Sequence, residues 1–410
     1  MWAASWQSGV TARRPPRARV TPRAKPMLRL AGKGGCIRSW DAPPAVHGLQ
    51  KRIADAFTFA PAPPTDLEDA MRQARAIHRA NVDGVRAAML DGEIAPAAAA
   101  RWISSDVETC VATMLEAVLA ELQARHGRPP GGGAVLALGK LGGRELALGS
   151  DIDLIFVCEA SDSADQNQAA EHYHRAAQQL FAALARDTEA GRLYDVDMRL
   201  RPFGADGPLA VLFSSFTRYY RHDRWTWELQ ALTRARVLGD DSSFGRRLSR
   251  AVTDAVMSAP PANIVRRDVA RMRRLMAREQ PATSPWDLKR VRGGLIDLEF
   301  IVQALQLMHV RGRPEILKAN TGEALSALAD AGILCRGDAD RLMDAWRLYS
   351  TLRQLQGALG LCGQDPRRAD LRRHQLVLDA LGADDWRGAK AQLGAAQTQV
   401  RHMLKQTLRS

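Results

Sequence analysis

At 410 residues the chain is long enough for two or three domains, and its 46% hydrophobic content is enough for sizeable cores. No apolar run of about 18 residues is present, which argues against a membrane span; the five cysteines (Cys36, Cys110, Cys158, Cys335, Cys362) are scattered and never form a CxxC pair, which argues against a disulfide framework or zinc site and fits a reducing, cytoplasmic setting. The net charge of +13 is concentrated at the start, where residues 1–50 hold nine Arg or Lys and one acid; the remaining 360 residues carry only +5, so a nucleic-acid-binding surface is not implied.

Residues 1–50 lack apolar periodicity and are rich in Pro, Arg and Gly, the composition of a disordered basic tail. They hold no secretory apolar core, and their Arg-rich, acid-poor character is shared by transit peptides, by solvated tails and by a start codon assigned upstream of the true domain, Met71 being an internal alternative. Residues 51–130 form a helical segment. Met71, Ala74, Ile77 and His78 share one helix face, and Met114, Val118 and Leu122 mark a second helix before the Pro-Pro-Gly break in HGRPPGGG. Residues 131–240 alternate strands and a helix. Ala134–Leu138 is a strand, GKLGG a tight turn, Ile152–Cys158 a strand, Gln166–Thr188 a helix and Leu193–Leu200 a further strand. Residues 241–410 show no strand signal and predict a bundle of helices near Phe244–Met257, Ile264–Glu279, Leu295–Met308, Thr321–Ala331, Ala339–Leu361, Leu371–Leu381 and Ala383–Leu408. Asn320 with Glu323, and Asp338, are the expected helix caps. The predicted class is α+β, an α/β core with a mainly helical C-terminal bundle.

The chemistry concentrates in GGGAVLALGKLGGRELALGSDIDLIFV, from Gly131 to Val157. An apolar strand enters a glycine-rich turn, and the next strand opens with Asp151 and Asp153. Strand side chains alternate faces, so both carboxylates project to one side. LYDVDMRLRPFG offers a third carboxylate, because Asp195, Asp197, Arg199 and Arg201 alternate there with Val196, Met198 and Leu200. Three hard oxygen ligands, Asp151, Asp153 and Asp197, suit two Mg²⁺ ions and ATP, with Asp197 also placed to accept a proton from an attacking hydroxyl. Gly139, Gly142 and Gly143 would let backbone N–H groups approach phosphate, Lys140 would add charge, Ser150 precedes the first aspartate, and Arg199 and Arg201 would grip phosphate oxygens.

Other groups are less specific. His172 and His174 lie at i and i+2 on a helix, do not share a face and are expected to be exposed. In RWTWELQALTRARVLGDD the tryptophans Trp225 and Trp227 are expected to pack on the sheet, with Arg234 and Arg236 free to reach phosphate or not. In DLKRVRGGLIDLEFIVQ, Lys289, Arg290 and Arg292 precede a Gly-Gly and a helix carrying Asp297 and Glu299. That cluster admits three readings: facing a nucleotide, facing a protein substrate, or solvated.

At LGKLGGRELALGSDIDLIFV, LYDVDMRLRPFGADGPL, YYRHDRWTWELQALTRARVLGD and SPWDLKRVRGGLIDLEFIVQALQL the chain resembles the bacterial glutamine synthetase adenylyltransferases. These four blocks and the helical tail cover most of residues 66–410. The resemblance implies AMP transfer from ATP to a tyrosine of glutamine synthetase, Mg²⁺ on Asp151, Asp153 and Asp197, and regulation by a PII-type signalling protein. Members usually carry two catalytic halves, one attaching AMP and one removing it by phosphorolysis. WTWELQALTRAR and SPWDLKRVRGGL resemble the attaching half. Phe203 in RPFG is more typical of the removing half, and Leu229 stands where a histidine is common.

Overall fold

The structure, a computed structural model, describes residues 66–127, 131–160, 166–186, 193–238 and 242–409. The basic tail read from residues 1–50 lies outside the described residues. Two long helices, α1 (Leu67–Leu90) and α2 (Pro96–His126), open the described chain as an antiparallel pair. Asp66 caps α1 by accepting from the Asp69 N–H, and Pro96 starts α2 where no N–H is missed. A buried polar cluster pins the pair. Asp106 of α2 accepts from Asn81 of α1 and bonds the His78 ring, and that ring packs on Tyr194 at 4.9 Å. Cys110 places its sulfur beside His78 and Asp106, with the three donor atoms within 4.8 Å. Asp106 is already hydrogen-bonded by its neighbours, so the cluster serves as a brace between the helices and the chain leading to Asp197.

The sheet is small and mixed. It runs β3 (Val196–Asp197), β2 (Ile152–Glu159), β1 (Gly132–Ala137) and β5 (Arg236–Leu238), with β4 (Ala210–Leu212) paired to the far half of β2. β1 is antiparallel to β2 and β5, whereas β3 and β4 are parallel to β2. β1 and β2 are buried on both faces, so their apolar runs are nearly unbroken. Val135, Ala137, Leu154, Phe156 and Cys158 enter the core formed with α1, α2 and α4 (Gln166–Ala185). Ala134, Leu136, Leu138, Ile155 and Val157 enter a second core. That core is built with α5 (Phe213–His222), α6 (Thr226–Leu232), α7 (Ser243–Met257) and α8 (Ala262–Glu279).

The one-turn α3 (Gly139–Gly142) fills the expected glycine turn. The remaining helices are α9 (Leu295–His309), α10 (Thr321–Asp330), α11 (Arg336–Ala358), α12 (Leu371–Leu381) and α13 (Trp386–Thr407). Asn320 caps α10 as its pairing with Glu323 predicts, accepting from the Gly322 and Glu323 N–H groups at 3.0 and 3.1 Å. Asp338 does not cap α11: Cys335 holds the cap position and Asp338 lies in the first turn beside Arg341. No described helix is long and apolar enough to cross a membrane.

The strand expected over Leu193–Leu200 is corrected to two residues, Val196–Asp197. The chain turns at Arg199, and Phe203 takes a left-handed φ of 62° before a short 3₁₀ turn at Gly204–Asp206. Alternation therefore stops at Asp197. β4 and β5, at three residues each, are too short to show a period of two.

Candidate active site

β1 delivers the chain to Gly139, and β2 returns it beside β1. The Leu138 N–H donates to the Asp153 carbonyl at 3.0 Å, which fixes the turn against the first aspartates. Gly139 has φ +55°, and a Cβ there would lie 2.1 Å from Asp153 Oδ2. Only a residue lacking a Cβ lets this carboxylate sit against the turn.

The parallel register of β2 and β3 pairs Ile152 with Val196 and Asp153 with Asp197. Laterally paired residues share a sheet face, so the Asp153 and Asp197 carboxylates stand side by side. Asp151, two residues before Asp153, belongs to the same face and is exposed. Asp195 is exposed, and its carbonyl receives the Ile152 N–H at 3.0 Å. The tertiary pairing thus singles out Asp197 as the neighbour of Asp153.

Crowding is visible in the electrostatics. Asp153 is pushed up to about 7, first by burial and then by the negative charges of Asp197 and Asp151; Lys289 and Arg234 pull the other way. Burial would raise Asp197 too, but Arg199 wins and holds it below the usual carboxylate range. Arg199 donates its backbone N–H to Asp197 Oδ1 at 2.9 Å and its Nε to both carboxylate oxygens at 2.9 and 3.0 Å. An Asp197 held so low is a poor proton acceptor while Arg199 stays in place.

Behind the turn sits a buried ionic network. Arg234 donates Nε to the Gly139 carbonyl at 2.9 Å and Nη1 to Thr321 Oγ1 at 3.0 Å. Its guanidinium lies 3.1 Å from Glu145 and 3.5 Å from Glu299. Burial would raise Glu145, yet Arg234, Lys140 and the Thr321 N–H, at 2.6 Å, bring it down to about 2. Lys140 is held between Glu145, at 3.3 Å, and Glu299.

The remaining expected site residues fall into two groups. Ser150 is half-buried in the loop entering Asp151, its N–H bonded to the Ala147 carbonyl at 3.0 Å. Gly142 and Gly143 are buried against protein: a Cβ would lie 1.9 Å from the Arg234 carbonyl at Gly142 and 2.4 Å from its guanidinium at Gly143. Arg201 is buried and donates to the Met198, Ala205 and Gly207 carbonyls at 2.8, 3.0 and 3.0 Å. It ties the turn after β3 together, because the strand that would have carried it beside Arg199 has already ended.

Arg236 reaches Glu108 and the Gly142 carbonyl. His172 is buried, contrary to the expected exposure, with its ring edge-on to Tyr173. Trp225 is 65% exposed and Trp227 half-buried; Leu229 and Leu232 pack into the core in their stead. Glu145 escaped the sequence reading because a lone glutamate in GGRELALG carries no spacing signal. The Lys289 cluster did carry one, ahead of its Gly-Gly.

Residues 38–251 match the family model for glutamate-ammonia ligase adenylyltransferase, and residues 264–408 match that for GlnD PII-uridylyltransferase. Among curated proteins the chain is similar to "bifunctional glutamine synthetase adenylyltransferase/adenylyl-removing enzyme" from several bacteria. It is 38% identical to that of Bradyrhizobium sp. (strain ORS 278) over 325 residues, 77% of this chain and 33% of the relative. It is 38% identical to that of Caulobacter vibrioides over 349 residues, 84% and 35% of the two chains. With the protein of Bradyrhizobium sp. (strain BTAi1) it shares 34% over 385 residues, 90% and 38%. The chain thus spans about a third of the length of these relatives. The match over residues 38–251 contains all three aspartates, and on it the chain belongs to the glutamate-ammonia ligase adenylyltransferase family.

Proposed function

We propose that this chain transfers AMP from ATP to a tyrosine hydroxyl of glutamine synthetase, releasing pyrophosphate. The observation that carries the reading is the β2–β3 register, which sets Asp197 beside Asp153 and next to Asp151. The all-oxygen donor set is right for a hard cation, and the raised affinity of Asp153 for a proton marks a place where positive charge is favoured. Asp151, Asp153 and Asp197 would hold Mg²⁺, which when bound supplies Lewis-acid neutralisation of triphosphate charge.

The tyrosyl oxygen attacks the α-phosphorus. The bond from that phosphorus to the α,β-bridging oxygen breaks, and its electron pair leaves with pyrophosphate. Gly139, lacking a Cβ, lets the Asp153 carboxylate sit against the turn. Arg199 is a bidentate cation able to exchange a carboxylate for phosphate oxygens. That exchange would release Asp197 to take the hydroxyl proton. The helical part docks the protein substrate, and its likeness to a PII-uridylyltransferase supports a PII-type signalling protein as regulator. The reaction belongs in the cytoplasm, where ATP and this substrate meet.

The test incubates the chain with glutamine synthetase, Mg²⁺ and ATP labelled at the α-phosphate. Label should appear on the synthetase with the parent chain and fall to background with Asp151→Asn plus Asp153→Asn. Label transfer that persists in the double variant would refute the site. If the parent transfers none, adenylylated synthetase with orthophosphate is the second arm; ADP release there would assign the chain to AMP removal.

A further inference from the structure

The carboxylates need positive charge near the outer phosphates, and the cations of the core are largely committed. Lys140 is shared by Glu145 and Glu299. Arg234 is buried between the same two acids. Arg201 is consumed by three carbonyls of its own turn, and Arg199 lies on Asp197, which it must leave before it can take phosphate oxygens. Lys289 differs. It is exposed, its ammonium acts on both Asp153 and Asp197, and no ion-pair partner within 4.0 Å is found for it among the described residues.

The loop that carries Lys289 is held firmly on both sides of it. Leu288 is fully buried and its carbonyl accepts the Leu295 N–H at 2.8 Å. The Arg290 carbonyl accepts from Arg273 at 3.3 Å, and buried Arg273 is itself paired with buried Asp297. Asp297 also accepts the Gly293 N–H, and the Gly293 carbonyl accepts the Tyr349 hydroxyl at 2.7 Å. Gly293, at φ +81°, would put a Cβ 1.8 Å from the Gln397 carbonyl of α13. Helices α8, α9, α11 and α13 therefore all contribute to fixing this loop. A buried Arg–Asp pair is costly to desolvate, and here it fixes the backbone next to an exposed lysine. A lysine that was merely solvated would need no such support. The backbone of Lys289 also lies over the first turn of α9, accepting the Ile296 N–H at 3.4 Å, and Glu299 one turn on holds Lys140 next to Gly139. The loop and the catalytic turn thus share one wall.

We propose that Lys289 is the cation that contacts the outer phosphates of the nucleotide, and pyrophosphate as it leaves, so that the helical segment completes the site built by the sheet. This rests on the nucleotidyl-transfer reading above and deepens it. A compact ammonium on a flexible stem suits phosphate oxygens as a point charge. The carboxylates lie in the part matched to the adenylyltransferase model and Lys289 in the part matched to the uridylyltransferase model, so neither part holds a complete site.

The test is equilibrium binding of Mg-ATP, Mg-pyrophosphate and AMP to the full chain, with Lys289→Ala, Lys289→Arg and, as a charge control from the same loop, Arg292→Ala. Lys289→Ala should weaken Mg-ATP and Mg-pyrophosphate about tenfold to a hundredfold, the usual range for a charged hydrogen bond. It should leave AMP within about twofold, Lys289→Arg should recover most of the loss, and Arg292→Ala should match the parent. Mg-ATP binding unchanged in Lys289→Ala, or AMP weakened as much as Mg-ATP, would overturn the assignment while leaving the function standing. A parent that binds neither Mg-ATP nor Mg-pyrophosphate would refute the functional reading and this inference with it.

Discussion

At the scale of single residues, Asp153 is where function and stability oppose each other. Its folded-state pKa of about 7 lies well above the usual 3.8. Between those values the folded chain holds a proton that the unfolded chain has lost, so the group's contribution is full at acid pH and is lost as pH rises through 7. Asp153→Asn should therefore raise the melting temperature in EDTA, by more at pH 8 than at pH 5. Added Mg²⁺ should stabilise the parent above pH 7 and leave the variant unchanged. Melting curves at the two pH values check this, and a variant less stable than the parent at pH 8 would show that the three carboxylates do not repel as described.

At the scale of elements, the ionic network behind the glycine turn joins α3, the turn before β5, α9 and the start of α10. Arg234 is its centre. Arg234→Met would leave Glu145 and Glu299 sharing the Lys140 charge, with the Thr321 N–H still on Glu145, and breaking a buried pair on one side costs about 3–5 kcal/mol. The pH dependence should change sign with it. In the parent, Glu145 has a depressed pKa, so its contribution is present above the unfolded value and lost only as pH falls toward 2. Without Arg234, burial pushes Glu145 upward, and the variant should lose further stability as pH rises. Urea denaturation at pH 5 and pH 8 measures both; a deficit equal at the two pH values would mean that Lys140 alone compensates the pair.

At the scale of the whole molecule, the helical part is not an appendage. One contiguous apolar cluster takes in Met71 and Val107 from the N-terminal pair, Val135 and Phe156 from the sheet, and Leu298, Leu352 and Val400 from the C-terminal helices. Gln354 of α11 donates to the Leu146 carbonyl at 2.8 Å, and Gln356 to that of Trp286 at 2.9 Å. A chain cut after α7 would expose the helix-facing side of this cluster. We expect it to be recovered in inclusion bodies or as an aggregate, and the full chain to melt in one calorimetric transition. Two separated transitions, or a monomeric truncated chain with a cooperative melt, would contradict that coupling.

Local pattern in the sequence was enough to determine the helical pair, the strand–turn–strand unit with Asp151 and Asp153 on one face, and the helices that follow, with the Asn320 cap but not the one expected at Asp338. Each depends on periodicity or turn chemistry within a few residues. It also named Asp197 as the third carboxylate, though on a strand taken to be longer than it is. Setting Asp197 beside Asp153 required the register of β3 on β2, and the end of β3 required the left-handed turn at Phe203. The commitment of Lys140 and Arg234 to buried acids, the burial of Arg201 and the reach of the Lys289 charge to Asp153 and Asp197 were decided by tertiary structure alone. Charge is long-ranged and indifferent to sequence separation, so a lysine and an aspartate more than a hundred residues apart leave no shared period in the chain by which their meeting could be read.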